Sequence, residues 1–292
     1  MNVPSLVATD HIASEALHAA FVRSFADYLI GPFNLALDQW PGFVLRQGVD
    51  LGLGRAAVDA EGKVLAFALV ATRPALKRWR LGTMGAVPEA RGSGAAVQLL
   101  QDFIQRGKDE QSRAGLKALE LEVFVQNERA ARLYRRHGFV ERYALHGWQR
   151  VADAGAARPP WAELACSQDE ALAWLHEAEA AITDLPLQVC ADVVRVLTMP
   201  WTAWRCGSAQ LVFTGDREAG VIVRSLIDRD PAQRDAEALV QALLAAHPGA
   251  KVSVPALQRS DLGGDALRRC GFTAEPLHQA LMRLDLAPPS SA

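Results

Sequence analysis

The sequence predicts an α/β protein of two consecutive units, and three observations carry that prediction. A strand-like run, Arg80 to Val87, is followed by the glycine-rich turn Arg91-Gly92-Ser93-Gly94 and then by an amphipathic segment. A second strand, Leu119 to Val125, alternates its apolar residues with Glu120, Glu122 and Phe124 and leads through Asn127 into apolar residues at helical spacing that end at Gly138-Phe139. Late in the chain Leu267-Arg268-Arg269-Cys270-Gly271-Phe272 echoes Tyr134-Arg135-Arg136-His137-Gly138-Phe139, as an internal repeat would.

From the N-terminus, Ile12, Ala16, Ala19, Ala20, Phe21, Phe25 and Tyr28 recur at mixed three and four spacing, which predicts a helix within 11–30 that Gly31-Pro32 stops. A short helix is expected over Leu35 to Trp40, before Pro41-Gly42. Arg55–Val58 and Lys63–Ala71 read as a hairpin around Asp59-Ala60-Glu61-Gly62. Within it, Gly52-Leu53-Gly54-Arg55-Ala56-Ala57 spells a dinucleotide fingerprint but runs into a strand instead of opening a helix, so a Rossmann site is rejected. Asn127 is a good helix N-cap, and Gly138 a left-handed C-cap whose Phe139 returns to the core. The stretch Val151 to Pro160 breaks the pattern and is the expected linker. Beyond it come a helix near 168–181, apolar runs at Val193–Leu197, Leu211–Phe213 and Gly220–Ile227, a helix over Ala232–Ala246 and a strand at Lys251–Val254. The tail Ala287–Ala292 is expected to be disordered.

Composition limits the function classes. With 292 residues, half of them apolar, the chain can bury cores for about two domains of ordinary size. Its 31 basic and 33 acidic residues give a net charge of −2, which offers no positive field for nucleic acid or an anionic membrane. Cys166, Cys190, Cys206 and Cys270 are scattered, without a Cys-x-x-Cys pair or a histidine at ligand spacing, so they read as reduced structural thiols and no metal site is expected. No leader-like N-terminal run and no stretch of eighteen apolar residues occurs, and a soluble cytoplasmic protein is the expectation.

The turn after Val87 has the chemistry of an anion cradle. The first amides of a helix lack intrahelical partners, the helix dipole adds positive charge there, and Gly92 and Gly94 let a phosphate approach the backbone. Strand end, Arg91-x-x-Gly94-x-Ala96 and helix, followed by Leu121-Glu122-Val123, Asn127, Ala130, Leu133-Tyr134 and Gly138-Phe139, resemble the two signatures of the GNAT N-acetyltransferases. That resemblance is close over 80–140 and loose over 20–150. It implies a mixed sheet flanked by helices, a catalytic unit over 1–150 and a degenerate GNAT-like unit over 161–286 packed on it as an intramolecular pseudo-dimer, in a monomer or homodimer. In the second unit Asp228-Arg229-Asp230-Pro231-Ala232 replaces the glycine turn, and its acidic groups and proline would repel a pyrophosphate and remove a donor.

The resemblance also implies acetyl-coenzyme A as cosubstrate and direct acetyl transfer to a primary amine of a small molecule or peptide. Cosubstrate contacts are expected from Ala86, Val87, Arg91, Gly92, Ser93, Gly94, Ala95, Ala96, Asn127 and Tyr134, with an amide of Ala86 or Val87 facing the thioester carbonyl oxygen. Tyr134 is the expected general acid toward the departing thiolate, from a phenol near its usual pKa of about 10. Leu121-Glu122-Val123 with Tyr134 twelve residues after Glu122 resembles the ribosomal-protein alanine acetyltransferases, which makes Glu122 the candidate base; Glu120 and a bound water compete for that step. Tyr28, Phe33 and His146 are candidates for the acceptor pocket, with Trp40 and Trp148 as neighbours. Lys77, Arg78 and Arg80 read as a solvated basic face, and Glu89 as a solvent-facing residue beside the cradle. A non-catalytic acyl-coenzyme A sensor is the alternative function. Amino acid, polyamine, aminoglycoside, peptide N-terminus and protein lysine all stay open as acceptors.

Overall fold

The computed structural model describes residues 4–153 and 163–286; most of the expected linker and the expected disordered tail lie outside them. The chain divides into two compact units that a single cut does not separate. The first holds residues 1–123, 127–141 and 282–292, the second 124–126 and 142–281. Of the stretch expected as one domain over 1–150, residues 124–126 and 142–150 fall in the second unit, and of that over 161–286, residues 282–286 fall in the first.

In the first unit, β1 (Ser5–Ala8), β2 (Val49–Val58), β3 (Val64–Arg73) and β4 (Arg78–Ala86) form an antiparallel run. β5 (Ala118–Phe124) joins β4 in parallel, so the sheet is mixed. Between the hairpin strands, Asp59 Oδ1 accepts the Glu61 and Lys63 amides, the local bonding that makes Asp59-Ala60-Glu61-Gly62 a turn. Gly52 and Gly54 lie inside β2, consistent with rejection of a dinucleotide site.

α1 (Ser14–Ser24) buries Leu17, Ala20 and Phe21 against Phe67 and Leu69 of β3. α2 runs from Trp40 to Arg46, not up to Trp40 as expected. Pro41 occupies its first turn, where a proline's missing N–H costs nothing and its fixed φ suits the helix, so the residue read as a stop is a start. α3 (Ala95–Ala114) crosses over between β4 and β5, and Asn127 Oδ1 accepts the Ala130 amide to cap α4 (Glu128–Arg136). The Phe139 amide then bonds Tyr134 O beyond Gly138 at φ +89°. The end of the last strand belongs here too: the Leu286 amide bonds Lys117 O, beside the start of β5.

The second unit holds the main part of β6 (Val140–Val151), then β7 (Ala165–Cys166), α5 (Gln168–Ala181), α6 (Ala191–Arg195), β8 (Trp201–Cys206), β9 (Ala209–Asp216), β10 (Gly220–Asp228), α7 (Arg234–Ala246), β11 (Lys251–Arg259), α8 (Gly264–Arg269) and the start of β12 (Thr273–Asp285). Its order repeats the first unit: β10, α7 and a parallel β11 correspond to β4, α3 and β5. The Phe272 amide bonds Leu267 O beyond Gly271 at φ +78°, the same helix ending as at Phe139. β6 pairs antiparallel with β11, from Lys251 opposite Val151 to Arg259 opposite Leu145. The run Val193–Leu197 falls in α6 and the turn after it.

Candidate active site

β4 and β5 are paired only from Arg78–Ala118 to Leu81–Leu121, although both strands continue to Ala86 and Phe124. The gap that opens there is the geometric centre of the site. On the other edge of β4 the Val87 amide donates to Leu65 O at 2.9 Å, and Ala86 stands opposite Ala66. Antiparallel ladders alternate bonded and non-bonded pairs, so the Ala86 and Met84 amides point away from β3, toward the gap. Val87, expected as a possible carbonyl donor, is thereby excluded because its amide is spent. The Met84 amide faces the gap beside that of Ala86, a position that only the strand register could identify.

In the turn after β4 the amides left free differ from those expected to hold a phosphate. Gly92 at φ +83° and Gly94 at φ +92° have nothing within 4 Å of where a Cβ would stand, so the turn is open on the side that a side chain would fill. The Arg91, Ser93 and Ala95 amides, expected as donors, are engaged by Pro88 O, Ala90 O and Ser93 Oγ. Among the described residues, no such acceptor engages the Gly92 and Gly94 amides, and the Ala96 and Val97 amides belong to the unpartnered first turn of α3. Four unpartnered amides at the positive end of a twenty-residue helix suit a pyrophosphate.

The Arg91 guanidinium donates to both Asp27 carboxylate oxygens at 2.6 Å and to Ser24 O at 3.1 Å, so it anchors the cradle to α1. Its hydrogen bonds hold the Asp27 carboxyl below its ordinary range. Glu89 is not simply solvated: Arg23 and Lys63 both bond Glu89 Oε1, at 2.6 and 3.1 Å. The Arg23 bond chiefly, with a backbone bond and Lys63, draws its pKa down to about 2.

Tyr134 is buried on α4, edge-on to Phe139 at 6.0 Å. Burial pushes its phenol well above the ordinary value, and Tyr28 adds to the shift. The expectation of a phenol near 10 is corrected by that desolvation. Tyr28 is itself raised by burial, offset in part by a hydrogen bond with Asn127. Tyr28, Asn127 and Tyr134 therefore form one cluster, with Asn127 both capping its helix and meeting Tyr28. Phe33 packs among Phe25, Tyr28 and Phe21.

Of the basic run expected as a solvated face, Lys77 is exposed, Arg78 is half-buried and Arg80 is buried. Arg80 Nε and Nη2 reach Glu122 Oε2 at 2.7 and 2.6 Å, with both side chains 3% exposed. Glu120 receives Arg73 at 2.6 Å and Arg78 at 3.3 Å. The expected base, Glu122, is thus a carboxylate already committed to a guanidinium, and its competitor Glu120 is committed to two. The matched alternation of Arg78 and Arg80 on one strand with Glu120 and Glu122 on the other was the available signal. His146 belongs to the second unit, stacked on His278 at 5.0 Å, with its pKa lowered by burial and then by His278 and Arg268.

The second unit's counterpart of the cradle is filled by its own chain. Asp228 is 1% exposed; Oδ1 accepts Ser208 Oγ at 2.7 Å and the Asp230 amide at 2.9 Å, and Oδ2 accepts the Ala236 amide of α7 at 2.9 Å. A carboxylate stands at the helix start where a phosphate would bind. Among the described residues no group of three or more metal-ligating side chains occurs, and no helix is long and apolar enough to cross a membrane.

The profile of the acetyltransferase (GNAT) family matches residues 15–139. The fold is similar to a GCN5-related N-acetyltransferase from Sphaerobacter thermophilus, at 17% identity, TM-score 0.65 and 98% coverage of either chain. It is also similar to a protein from Pyrococcus horikoshii provisionally named an acetyltransferase, at 12% identity and TM-score 0.65, covering 99% of this chain and 91% of that one. A GCN5-related N-acetyltransferase from Anabaena variabilis shares 18% identity at TM-score 0.61, with 96% and 72% covered. No curated protein matches the sequence. At these identities the structural likenesses speak for the fold, and the family match speaks for the first unit. Through residues 15–139 the chain carries a domain of the acetyltransferase (GNAT) family.

Proposed function

We propose that the protein is an acetyl-coenzyme A dependent N-acetyltransferase that acylates a primary amine of a small molecule or peptide by direct attack, with the chemistry in the first unit. Membership of its domain in the GNAT family supports acyl transfer in general. The observation that carries the finer reading is the gap between β4 and β5, flanked by unspent strand amides on one side and leading to an open cradle on the other. Acetyl-coenzyme A supplies the activated acetyl thioester.

The Gly92, Gly94, Ala96 and Val97 amides bind pyrophosphate oxygens, and the Met84 and Ala86 amides hold the pantetheine arm and meet charge developing on the thioester carbonyl oxygen. Tyr134 holds a proton at its hydroxyl for the departing sulfur. Burial keeps that hydroxyl protonated through the neutral range, which suits a donor. The amine loses its proton to water, because Glu120 and Glu122 are engaged by arginines. Asn127 orients Tyr28, and Tyr28 with Phe33 forms the near wall of the acceptor pocket. The second unit supports the first and binds no acyl-coenzyme A, since Asp228 fills its helix start.

An amine-panel screen that reads free thiol release from acetyl-coenzyme A tests this reading. Release with at least one primary amine, at a rate well above that of water alone, is the expected result. Tight acetyl-coenzyme A binding without release to any amine would pass the site to the sensor reading.

A further inference from the structure

The last link between β4 and β5 before they part is a side-chain link. Backbone pairing ends at Leu81–Leu121, and the Arg80–Glu122 ion pair reaches diagonally past it, from a residue before the final pair on β4 to a residue after it on β5. Both side chains are 3% exposed, so neither is a surface charge. Arg80 Nη1 also lies 3.5 Å from Gln47 Oε1, which follows α2. Gly82, the next residue on that face of β4, makes room for the guanidinium: a Cβ there would stand 2.9 Å from Arg80 Nη1.

We propose that Arg80 and Glu122 act together as a positioning pair that fixes where β4 and β5 diverge, and thereby aims the Met84 and Ala86 amides. Glu122 is then not the proton acceptor. This inference rests on the acyl-transfer reading above and deepens it. A buried guanidinium–carboxylate bridge resists shear because its hydrogen bonds are directional, and removing one partner strands the other charge in a dry site. Stranding either charge has the same consequence for the gap. A base behaves differently, since only loss of its carboxylate removes the function.

The experiment compares Arg80→Met, Glu122→Gln and the double variant Arg80→Met/Glu122→Met in the full chain, using acetyl-coenzyme A and an amine found in the panel. For a positioning pair, Arg80→Met lowers kcat about 10-fold or more with little change in the KM for the amine. Glu122→Gln lowers kcat by a factor that is constant from pH 6 to 9. The double variant, whose apolar side chains strand no charge, is no slower than Arg80→Met. If Glu122 is the base, Arg80→Met keeps or raises kcat, Glu122→Gln loses most activity at low pH and recovers toward the amine pKa, and the double variant falls far below Arg80→Met; any of these overturns the proposal.

If Arg80→Met does not fold, the pH profile of Glu122→Gln decides. If the parent releases thiol with no amine, the acyl-transfer reading fails by itself. The pair is then read by hydrogen exchange of the segments 78–86 and 118–124, where faster exchange in the double variant supports it and unchanged exchange overturns it.

Discussion

Replacing Gly94 by tryptophan separates binding at the cradle from folding. Gly94 precedes α3 with φ +92° and ψ −8°, a conformation that any L-residue adopts under strain. The strain costs about 1–3 kcal/mol, which lowers the thermal midpoint by about 2–12 °C in a protein of this size. Its missing Cβ faces open space, with no atom within 4 Å, so a side chain there starts out into the volume a pyrophosphate needs. Loss of two charge-assisted hydrogen bonds, at about 1.5–3 kcal/mol each, removes about 3–6 kcal/mol of binding. That corresponds to an affinity for acetyl-coenzyme A weaker by about 10²- to 10⁴-fold. Gly94→Ala bears the same strain with almost none of the bulk, so it should weaken binding by less than about 10-fold while losing similar stability. Titration calorimetry with acetyl-coenzyme A, alongside thermal unfolding of both variants, reads the two effects. A folded Gly94→Trp protein with the parent's affinity would show that the phosphates bind elsewhere.

Further outcomes are expected. Calorimetry of the parent should give one acetyl-coenzyme A per chain, because Asp228 occupies the second helix start; two equivalent sites would contradict this. Asp228→Ala leaves the Asp230 and Ala236 amides without an acceptor, at about 1–3 kcal/mol each, and should lower the thermal midpoint by at least about 4 °C. Tyr134→Phe should keep acetyl-coenzyme A affinity while lowering kcat by about 10²-fold, and parent-like turnover would remove it from the chemistry. Its raised phenol also shapes stability: the unfolded chain ionises Tyr134 first, near pH 10, so the contribution is complete below that pH and is lost as pH climbs toward the folded value. Cys270, pushed up to about 11 from 9.0 by burial, acts with the same sign one step earlier. Thermal midpoints from pH 8 to 11 should therefore fall less steeply for Tyr134→Phe than for the parent. Finally, a fragment of residues 1–155 lacks the Met282–Leu286 part of the first unit, whose Leu286 amide bonds Lys117 O, and should be poorly soluble; a soluble, fully active fragment would refute that dependence.

The sequence by itself determined the local structure of the site. The glycines at 92 and 94, the Asn127 cap and the Gly138-Phe139 ending each depend on a few consecutive residues, and each adopts the backbone its chemistry prefers. The helix over 168–181 was legible for the same reason, Ser167 and Glu170 forming a reciprocal cap. The Pro41 misreading is also local, since proline both stops one helix and starts another. Tertiary structure alone decided how those pieces are used. Which amides face the gap follows from the alternating register of β4 against β3, and one residue of slip would exchange Val87 for Ala86. Arg80 and Glu122 are forty-two positions apart, and only the parallel pairing of β4 with β5 turns two ordinary strand charges into a buried bridge. The division of the chain into units was hidden for the same reason: a strand's periodicity shows that it pairs and which face it buries, but its partner depends on contacts far away along the chain.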